Sequence, residues 1–502
     1  MKRRNFVKTT LLTGAATTMS AGLISCETDS IATNSDETMM LPAKNVPLLG
    51  EYDVIVAGGG LGGVSAAVAA AKAGAKTLLV ERNGFPGGVA TAGMCSSVYN
   101  PLYTPSHELV VRGNSAMFID RLAEANGSGK NWHEHLGHII FDTECGKVVL
   151  MQLLQEAGCD YLLDTLVTDV LMKNNRLAGI VIDSKSGKQA IKAKAVVDAT
   201  GDADVAYMAG APCNNRTTKS SYCFRIGNVD VDKFVQYFID NPGIFMDYMD
   251  INWSFKEALA HYRATGTFLF PHGGTLEMEI IKKAVADGRY KQEYGVFKDL
   301  DAVQMHFIRD LGTVGIVGAM TEIDALDNRQ ISKALFQGKE IAYMIANYFR
   351  SLMPGFENGF IIGLADDLGV RTTRWIDGDF AFTKKMKEEQ TNFEDSIGKG
   401  VVQTSEKRYE GNRSFGVQIL HDTTYDIPYR CLLPKKVDGL VIGAGRSTSQ
   451  ENPSLLRVMA MTMVVGQGAG AAAALSAKHN TIPRDLDIST LQGELKSQGV
   501  NV

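Results

Sequence analysis

The chain has seven cysteines in 502 residues, and none of them stands in a CxxC or CxxCH pair. That lack argues against an iron-sulfur cluster or a c-type haem held by this chain, and neither is expected. It also has no excess of positive charge: 51 Lys and Arg stand against 56 Asp and Glu, a formal net charge of -5. The first 26 residues hold four basic groups and no acidic one, so the remainder carries 47 basic against 56 acidic, or -9. A mildly acidic body has no electrostatic footprint for nucleic acid, and no such partner is expected. Beyond the N-terminal leader no segment reaches about 18 uninterrupted apolar residues, so no transmembrane helix is expected in the mature chain. There is no internal repeat. His133, His135 and His138 form an HxHxxH cluster around Glu134. Neither a helix nor a strand places all three on one face, so no metal site is expected there.

What the chain does have is glycine, 51 residues of it, within an ordinary soluble composition of 45% hydrophobic and 21% charged residues. The most informative are in Gly58-Gly59-Gly60-Leu61-Gly62-Gly63. They follow the apolar run Tyr52 to Ala57 and precede a small-residue helix from Val64 to Ala73, Gly74, and the run Leu78-Leu79-Val80-Glu81. This is the order of a dinucleotide-binding βαβ unit. Gly58 makes the tight bend, Gly60 admits the backbone to a pyrophosphate, and Gly63 lets the helix lie close to the sheet. The helix N-terminus offers unpaired N–H groups to the phosphates, and Glu81 can accept from a ribose diol.

Three further segments favour a flavin over a nicotinamide. Glu81-Arg82-Asn83-Gly84-Phe85-Pro86-Gly87-Gly88 supplies small residues where a long cofactor must pass. Ala195 to Asp202, with Thr200-Gly201-Asp202 at its end, reads as a second buried strand and an acid-bearing turn. Gly439 to Arg446, including Gly445, is a strand and turn near the C-terminus, followed by an apolar helix around Gly466-Gln467-Gly468-Ala469-Gly470. An extended FAD touches one chain at several such distant points.

These motifs, together with Ala90-Thr91-Ala92-Gly93, Tyr425 to Arg430 and Arg457-Val458-Met459, stand in one order over about four hundred residues. In that order the sequence resembles the FAD-dependent oxidoreductases with a glutathione-reductase-like FAD domain. The resemblance implies an α/β fold: a Rossmann-like FAD-binding domain of glutathione-reductase type and a second, α+β substrate or cap domain. It also implies non-covalent FAD, with cofactor contacts at Gly58, Gly60, Leu61, Gly62, Gly63, Glu81, Arg82, Gly87, Gly88, Thr200, Gly201, Asp202, Gly445, Gly466 and Gln467. Backbone groups at Val167 would contact the adenine, and Arg446 and Arg457 would neighbour cofactor or substrate. The chain departs from the family at Arg371-Thr372-Thr373-Arg374-Trp375, where relatives often carry Arg-Glu-(Ser or Thr)-Arg-Arg, and at Gly468, where Ala is usual.

The N-terminus reads as an address. Arg3-Arg4-Asn5-Phe6-Val7-Lys8 is a twin-arginine pattern, and Leu23-Ile24-Ser25-Cys26 is a lipobox. Residues 1–26 are therefore expected to be a signal peptide, with a lipid anchor at Cys26 after export to the periplasm or cell envelope. Residues 27–50 are expected to be a flexible tether. The plan continues with a first FAD-binding part over 51–215, a substrate or cap domain over 216–424, a closing FAD part over 425–480 and a tail over 481–502. Residues 95–140 look loop-rich. A helix is expected over Lys147 to Glu156, and β runs over Thr165 to Met172, Leu177 to Asp183 and Gln189 to Ala199. Longer helices are expected over Ile331 to Ser351 and Val458 to Ala477, the second aimed at the flavin pyrimidine ring.

Flavin N5 would take or give the hydride while side chains move a proton. His421 and Tyr425, with His272, are candidates for that proton transfer. Arg446 and Arg457 read either as substrate neighbours or as structural ion pairs, and Cys95 as a redox partner or a buried thiol. The resulting expectation is an exported enzyme acting on a small organic substrate, a sugar or organic acid, and exchanging electrons with a quinone or redox protein. The competing expectation is a flavoprotein whose FAD is structural, acting in glycan processing or as a binding lipoprotein.

Overall fold

A computed structural model describes residue 39 and residues 44–98, 102–127, 132–133, 139–241, 255–300, 303–410 and 413–502. The twin-arginine segment, Cys26, His135 and His138 lie outside the described residues.

The apolar runs of the N-terminal half become a mixed sheet. Leu48–Ala57 lies parallel between Thr77–Val80 and Gln189–Asp198, and Thr77–Val80 is parallel to Asp160–Leu162. One strand does two jobs on its far side. The first half of Gln189–Asp198 pairs antiparallel with Arg176–Asp183, which turns into Leu166–Lys173, while its last residues pair in parallel with Leu440–Ile442. Val54 to Ala57, Leu78 to Val80 and Ala195 to Val197 are fully or almost fully buried, which is why these strands are continuous apolar runs without alternation.

Two helices cover this sheet, Leu61–Lys72 and Met459–Lys478, and small residues set their approach. A methyl group on Gly466 would stand 2.0 Å from the Gly62 carbonyl oxygen, and one on Gly470 would stand 2.0 Å from that of Ala66. Ser65 Oγ donates to the Met463 carbonyl at 2.7 Å. By length and composition Met459–Lys478 passes as a membrane span, but 94% of its apolar window is buried inside the protein, as expected of a core helix.

The middle of the chain forms an antiparallel sheet in the order Thr267–Phe270, Gln304–Ile308, Thr313–Ile323, Thr218–Gly227, Phe360–Leu364. Its two faces differ because side chains alternate. One face presents Phe224, Phe268, Phe270, Met305, Phe307 and Ile316 to a hydrophobic core that includes Phe234, stacked on Phe307 at 4.4 Å. The register aligns Leu269, His306, Gly315, Arg225 and Gly363 in one row on the other face, with Gln304, Val317 and Cys223 in the next. That second face is buried as well, and carries the polar His306, Arg225 and Gln304 among Leu269, Val317 and Cys223.

Three segments differ from the sequence expectation. Residues 95–140 contain a helix, Asn114–Glu124, whose Phe118, Ile119 and Leu122 join the core. Its start lacks a local side-chain cap, and the Asn114 N–H is instead accepted by Gln467 Oε1 at 2.8 Å, from a residue 353 positions away. The expected tail, 481–502, holds the helix Ile488–Ser497 with Leu491 and Leu495 fully buried. The first strand begins at Leu48, inside the expected tether.

Candidate functional site

The turn after the first strand is built by contacts that only glycine allows. Gly58 has φ of +100°, and a side chain there would meet the Ala199 carbonyl oxygen at 2.6 Å. A methyl on Gly63 would stand 1.8 Å from the Gly58 carbonyl oxygen, and one on Gly62 would stand 2.3 Å from that of Gly443. Gly60 is different: among the described residues nothing lies within 4 Å of the place its side chain would occupy. It is the N-cap of Leu61–Lys72, and no side chain caps that helix. Leu61, Gly62 and Gly63 are nevertheless buried. A buried helix start whose first N–H groups have no intrahelical acceptor, beside an open space at Gly60, is an anion cradle. The residues present therefore fit the diphosphate of a dinucleotide.

The acid expected to hold a ribose lies against this turn. Glu81 Oε2 accepts the Gly59 N–H at 2.6 Å, and Oε1 accepts the Asn83 N–H at 2.8 Å. Burial raises its pKa against those two bonds. Thr165 N–H donates to the Glu81 carbonyl at 3.0 Å and Asp164 N–H to that of Asn83 at 3.1 Å, which brings the strand carrying Val167 alongside Glu81. Gly87 and Gly88 have φ of +120° and +55°, and Gly60 and Gly87 are bridged through their backbones. Arg82 pairs with Asp367 at 2.6 Å.

At the end of Gln189–Asp198 the buried Asp198 accepts from Thr200 N–H, Thr200 Oγ1 and Ala206 N–H, and so shapes the Thr200-Gly201-Asp202 turn. Burial pushes its pKa up to about 6 in spite of those donors. Asp202 accepts from Arg446 at 2.6 Å and from Thr373 Oγ1. Arg446 also donates to the carbonyls of Gly201 and Val370, and Arg374 donates to the Asp202 carbonyl at 3.1 Å and pairs with Asp204. The stretch that departs from the family pattern thus clamps this turn. Arg446 takes the structural ion-pair role. Gly445 N–H donates to Thr462 Oγ1 at 2.8 Å, which sets the last turn on the start of the uncapped closing helix.

Several expected site residues have other partners. Gly466 faces Gly62, so its small size serves helix packing. Gln467, expected to contact the cofactor, accepts from Asn114 N–H and donates to Gln498, and so ties down the C-terminal segment. Tyr425 is fully buried, stacks on Phe382 and donates to the Met461 sulfur at 3.3 Å. Burial drives its pKa far above the ordinary tyrosine value, and its partners place it in the core between Phe382 and the closing helix. His421 bonds Thr404 Oγ1 at 2.8 Å across the long hairpin Ser396–Glu410 and Arg413–Pro428. His272 lies in the turn after Thr267–Phe270. His133, the one described member of its cluster, bonds Asp120 and Tyr103.

Arg457 stands two residues before the closing helix. Burial raises the Cys95 thiol against the pull of the Arg371 and Arg457 charges. Cys95 packs against both hydrophobic cores, at the seam between the two sheets. Next to it, Ser96 Oγ meets His306 Nδ1 at 3.0 Å, and Arg225 meets Asp142 at 3.2 Å. The second face of the antiparallel sheet is thereby closed onto the FAD half. Sequence reasoning missed Ser96, which lies in a loop, and Arg225, Gln304 and His306, whose strands Thr218–Gly227 and Gln304–Ile308 carry no motif of their own.

The family described as FAD dependent oxidoreductase matches residues 53–495. The chain belongs to this family. An FAD-dependent oxidoreductase is an enzyme with FAD as its cofactor and a small-molecule substrate, on an α/β Rossmann-like fold with a mixed sheet. Thiamine thiazole synthase of Saccharolobus islandicus is 33% identical over 167 residues, 31% of this chain and 57% of that protein. The same enzyme of Methanococcus aeolicus is 30% identical over 172 residues, again 31% and 57%. The chain thus spans little more than half the length of these curated relatives. Among solved structures, it is similar to a geranylgeranyl bacteriochlorophyll reductase-like protein of Thermoplasma acidophilum, at 17% identity, TM-score 0.40 and 89% and 83% coverage. It is also similar to the myxobacterial chondrochloren halogenase, at 14% identity, TM-score 0.42 and 89% and 78% coverage.

Proposed function

We propose that this FAD-dependent oxidoreductase moves a hydride between flavin N5 and a small organic substrate, of the sugar or organic-acid class, outside the cytoplasmic membrane. FAD, when bound, supplies a two-electron acceptor or donor. The chain's own residues hold it: the N–H groups at Leu61 to Gly63 take the diphosphate, and Glu81 takes a ribose. The uncapped start of Met459–Lys478 would favour negative charge on the ring. A glutathione-reductase type of FAD domain is favoured by the antiparallel meander of Leu166–Lys173, Arg176–Asp183 and Gln189–Asp198, which returns to the parallel strands. Export, the lipid anchor at Cys26 and a quinone or redox-protein partner rest on the Arg3-Arg4 and lipobox patterns.

The observation that carries the redox reading is the buried, uncapped helix start at Gly60, which offers the N–H groups of Leu61 to Gly63 to a dinucleotide diphosphate. The test is to purify the mature chain, record its visible spectrum, photoreduce it, and screen sugars, hydroxy acids and enoates for flavin bleaching or reoxidation. Bleaching by one class, followed by reoxidation with a quinone, supports the reading. A bound flavin that neither bleaches nor reoxidises contradicts it.

A further inference from the structure

The second face of the antiparallel sheet holds a connected chain of three buried groups. Ser96 Oγ lies 3.0 Å from His306 Nδ1, and His306 Nε2 lies 3.0 Å from Gln304 Oε1. Ser96 is 3% exposed, His306 1% and Gln304 5%. An amide oxygen only accepts, so Nε2 carries the imidazole proton and Nδ1 is left to accept from the Ser96 hydroxyl. The Ser96 oxygen is thereby polarised, as in any nucleophile or base held by an oriented imidazole. Gln304 Nε2 has no hydrogen-bond partner among the described residues. A buried amide donor without an acceptor is costly, and such a group marks a place where a ligand oxygen or water belongs.

The surroundings fit a working relay. On the sheet, His306 is flanked by Leu269 and Gly315, with Arg225 in the same row beyond Gly315 and Cys223 in the next row. Arg225 is neutralised by Asp142 at 3.2 Å. From the FAD half the facing groups are Ser96 and its neighbour Cys95, on whose thiol the Arg371 and Arg457 charges act. Gly315 makes room for the serine: a methyl there would stand 2.3 Å from Ser96 Oγ. The segment that carries Ser96 runs directly from the Gly87-Gly88 turn of the cofactor site.

We propose that Ser96, His306 and Gln304 form the proton relay of the active site, with Gln304 Nε2 donating to an oxygen of the substrate or of a bound water. This rests on the redox reading above. In the oxidative direction, the substrate hydroxyl proton passes to Ser96 Oγ while the serine proton passes to His306 Nδ1. The O–H electron pair becomes the new C=O bond, and the C–H pair leaves with the hydride for the two-electron acceptor. Ser96 touches the substrate and is the catalytic residue; His306 is a positioning residue that acts through it, and Gln304 both orients His306 through Oε1 and binds through Nε2.

The test uses holoprotein with bound FAD as wild type, His306→Asn and Ser96→Ala. The flavin midpoint potential is followed from about pH 5 to about pH 9, the range in which a histidine titrates. The wild-type line is expected to bend where His306 changes charge, the bend to vanish in His306→Asn and to remain in Ser96→Ala. For the compound that bleaches the flavin fastest, Ser96→Ala is expected to slow bleaching about 100-fold, with the pH profile flattened and half-saturation little changed. An unaltered bend in His306→Asn, or wild-type bleaching and pH profile in Ser96→Ala, would overturn the relay while FAD binding stands. A chain that holds no FAD overturns the proposed function instead.

Discussion

The parallel half of the molecule gains its specificity from backbone meeting backbone, whereas the antiparallel half gains it from side chains. Around the cofactor turn the decisive contacts are carbonyl oxygens that a single methyl would strike, at Gly58, Gly62, Gly63 and Gly466. On the antiparallel sheet, one face is aromatic core and the other sets the polar His306, Arg225 and Gln304 among apolar residues and glycines by pairing register. A glycine cradle can take the same cofactor whatever the substrate. A register-built face can change with one substitution, so under the proposed function substrate choice belongs to the second region.

The largest effect that would sharpen this contrast is at Gly63. Gly63→Val puts a branched side chain against the Gly58 carbonyl, 1.8 Å from its first carbon. The expected loss is roughly 4 kcal/mol or more, read as failure to give a cooperative thermal transition. A folded Gly63→Val protein would break the claim that backbone contact governs this half.

Next is the buried carboxylate at Asp198. Its pKa is raised from 3.8 to about 6 by burial, so its contribution to stability is fully present below about pH 3.8 and is lost as the pH rises through about 6. Wild type should therefore lose on the order of 3 kcal/mol relative to Asp198→Asn across that window, by denaturant unfolding at each pH. Parallel curves for the two proteins would mean that the turn neutralises this charge fully.

A similar free energy, read in binding instead of folding, is expected at Gly60. Gly60→Leu has open space and an ordinary φ of -62°, so melting of the cofactor-free protein should stay within about 0.5 kcal/mol of wild type. FAD affinity should fall about 100-fold or more, which is about 2.7 kcal/mol, by fluorescence titration. The pair Gly63 and Gly60 thus separates packing glycine from ligand glycine. The smallest effect is at Tyr425: Tyr425→Phe removes one weak O–H···S contact and should alter stability by less than about 1 kcal/mol, with flavin bleaching unchanged. Loss of bleaching would return Tyr425 to the catalytic site.

The difference between the two regions also explains what could be read beforehand. Gly58, Gly60 and Gly63 lie within six residues, and the strand, helix and acid around them follow in sequence, so the cradle was legible from local order alone. The meander was as well, because its strands Leu166–Lys173, Arg176–Asp183 and Gln189–Asp198 are separated by short polar turns. Ser96 and His306 are 210 residues apart, and nothing near either names the other. Gln467 looked like part of a cofactor motif because its glycine neighbours did, yet its partner Asn114 belongs to a helix with no local start signal. Tyr425 and Arg446 could be placed near the site by order, but their roles depend on burial and on partners such as Phe382 and Asp202 that only the fold supplies.

The most direct test of the central claim is the amount of FAD released by denaturing the purified full-length chain, compared with that from Gly60→Leu prepared identically. The account predicts about one FAD for each wild-type chain and almost none for the folded variant. A colourless wild-type protein, or a Gly60→Leu protein with its full complement of flavin, would contradict it.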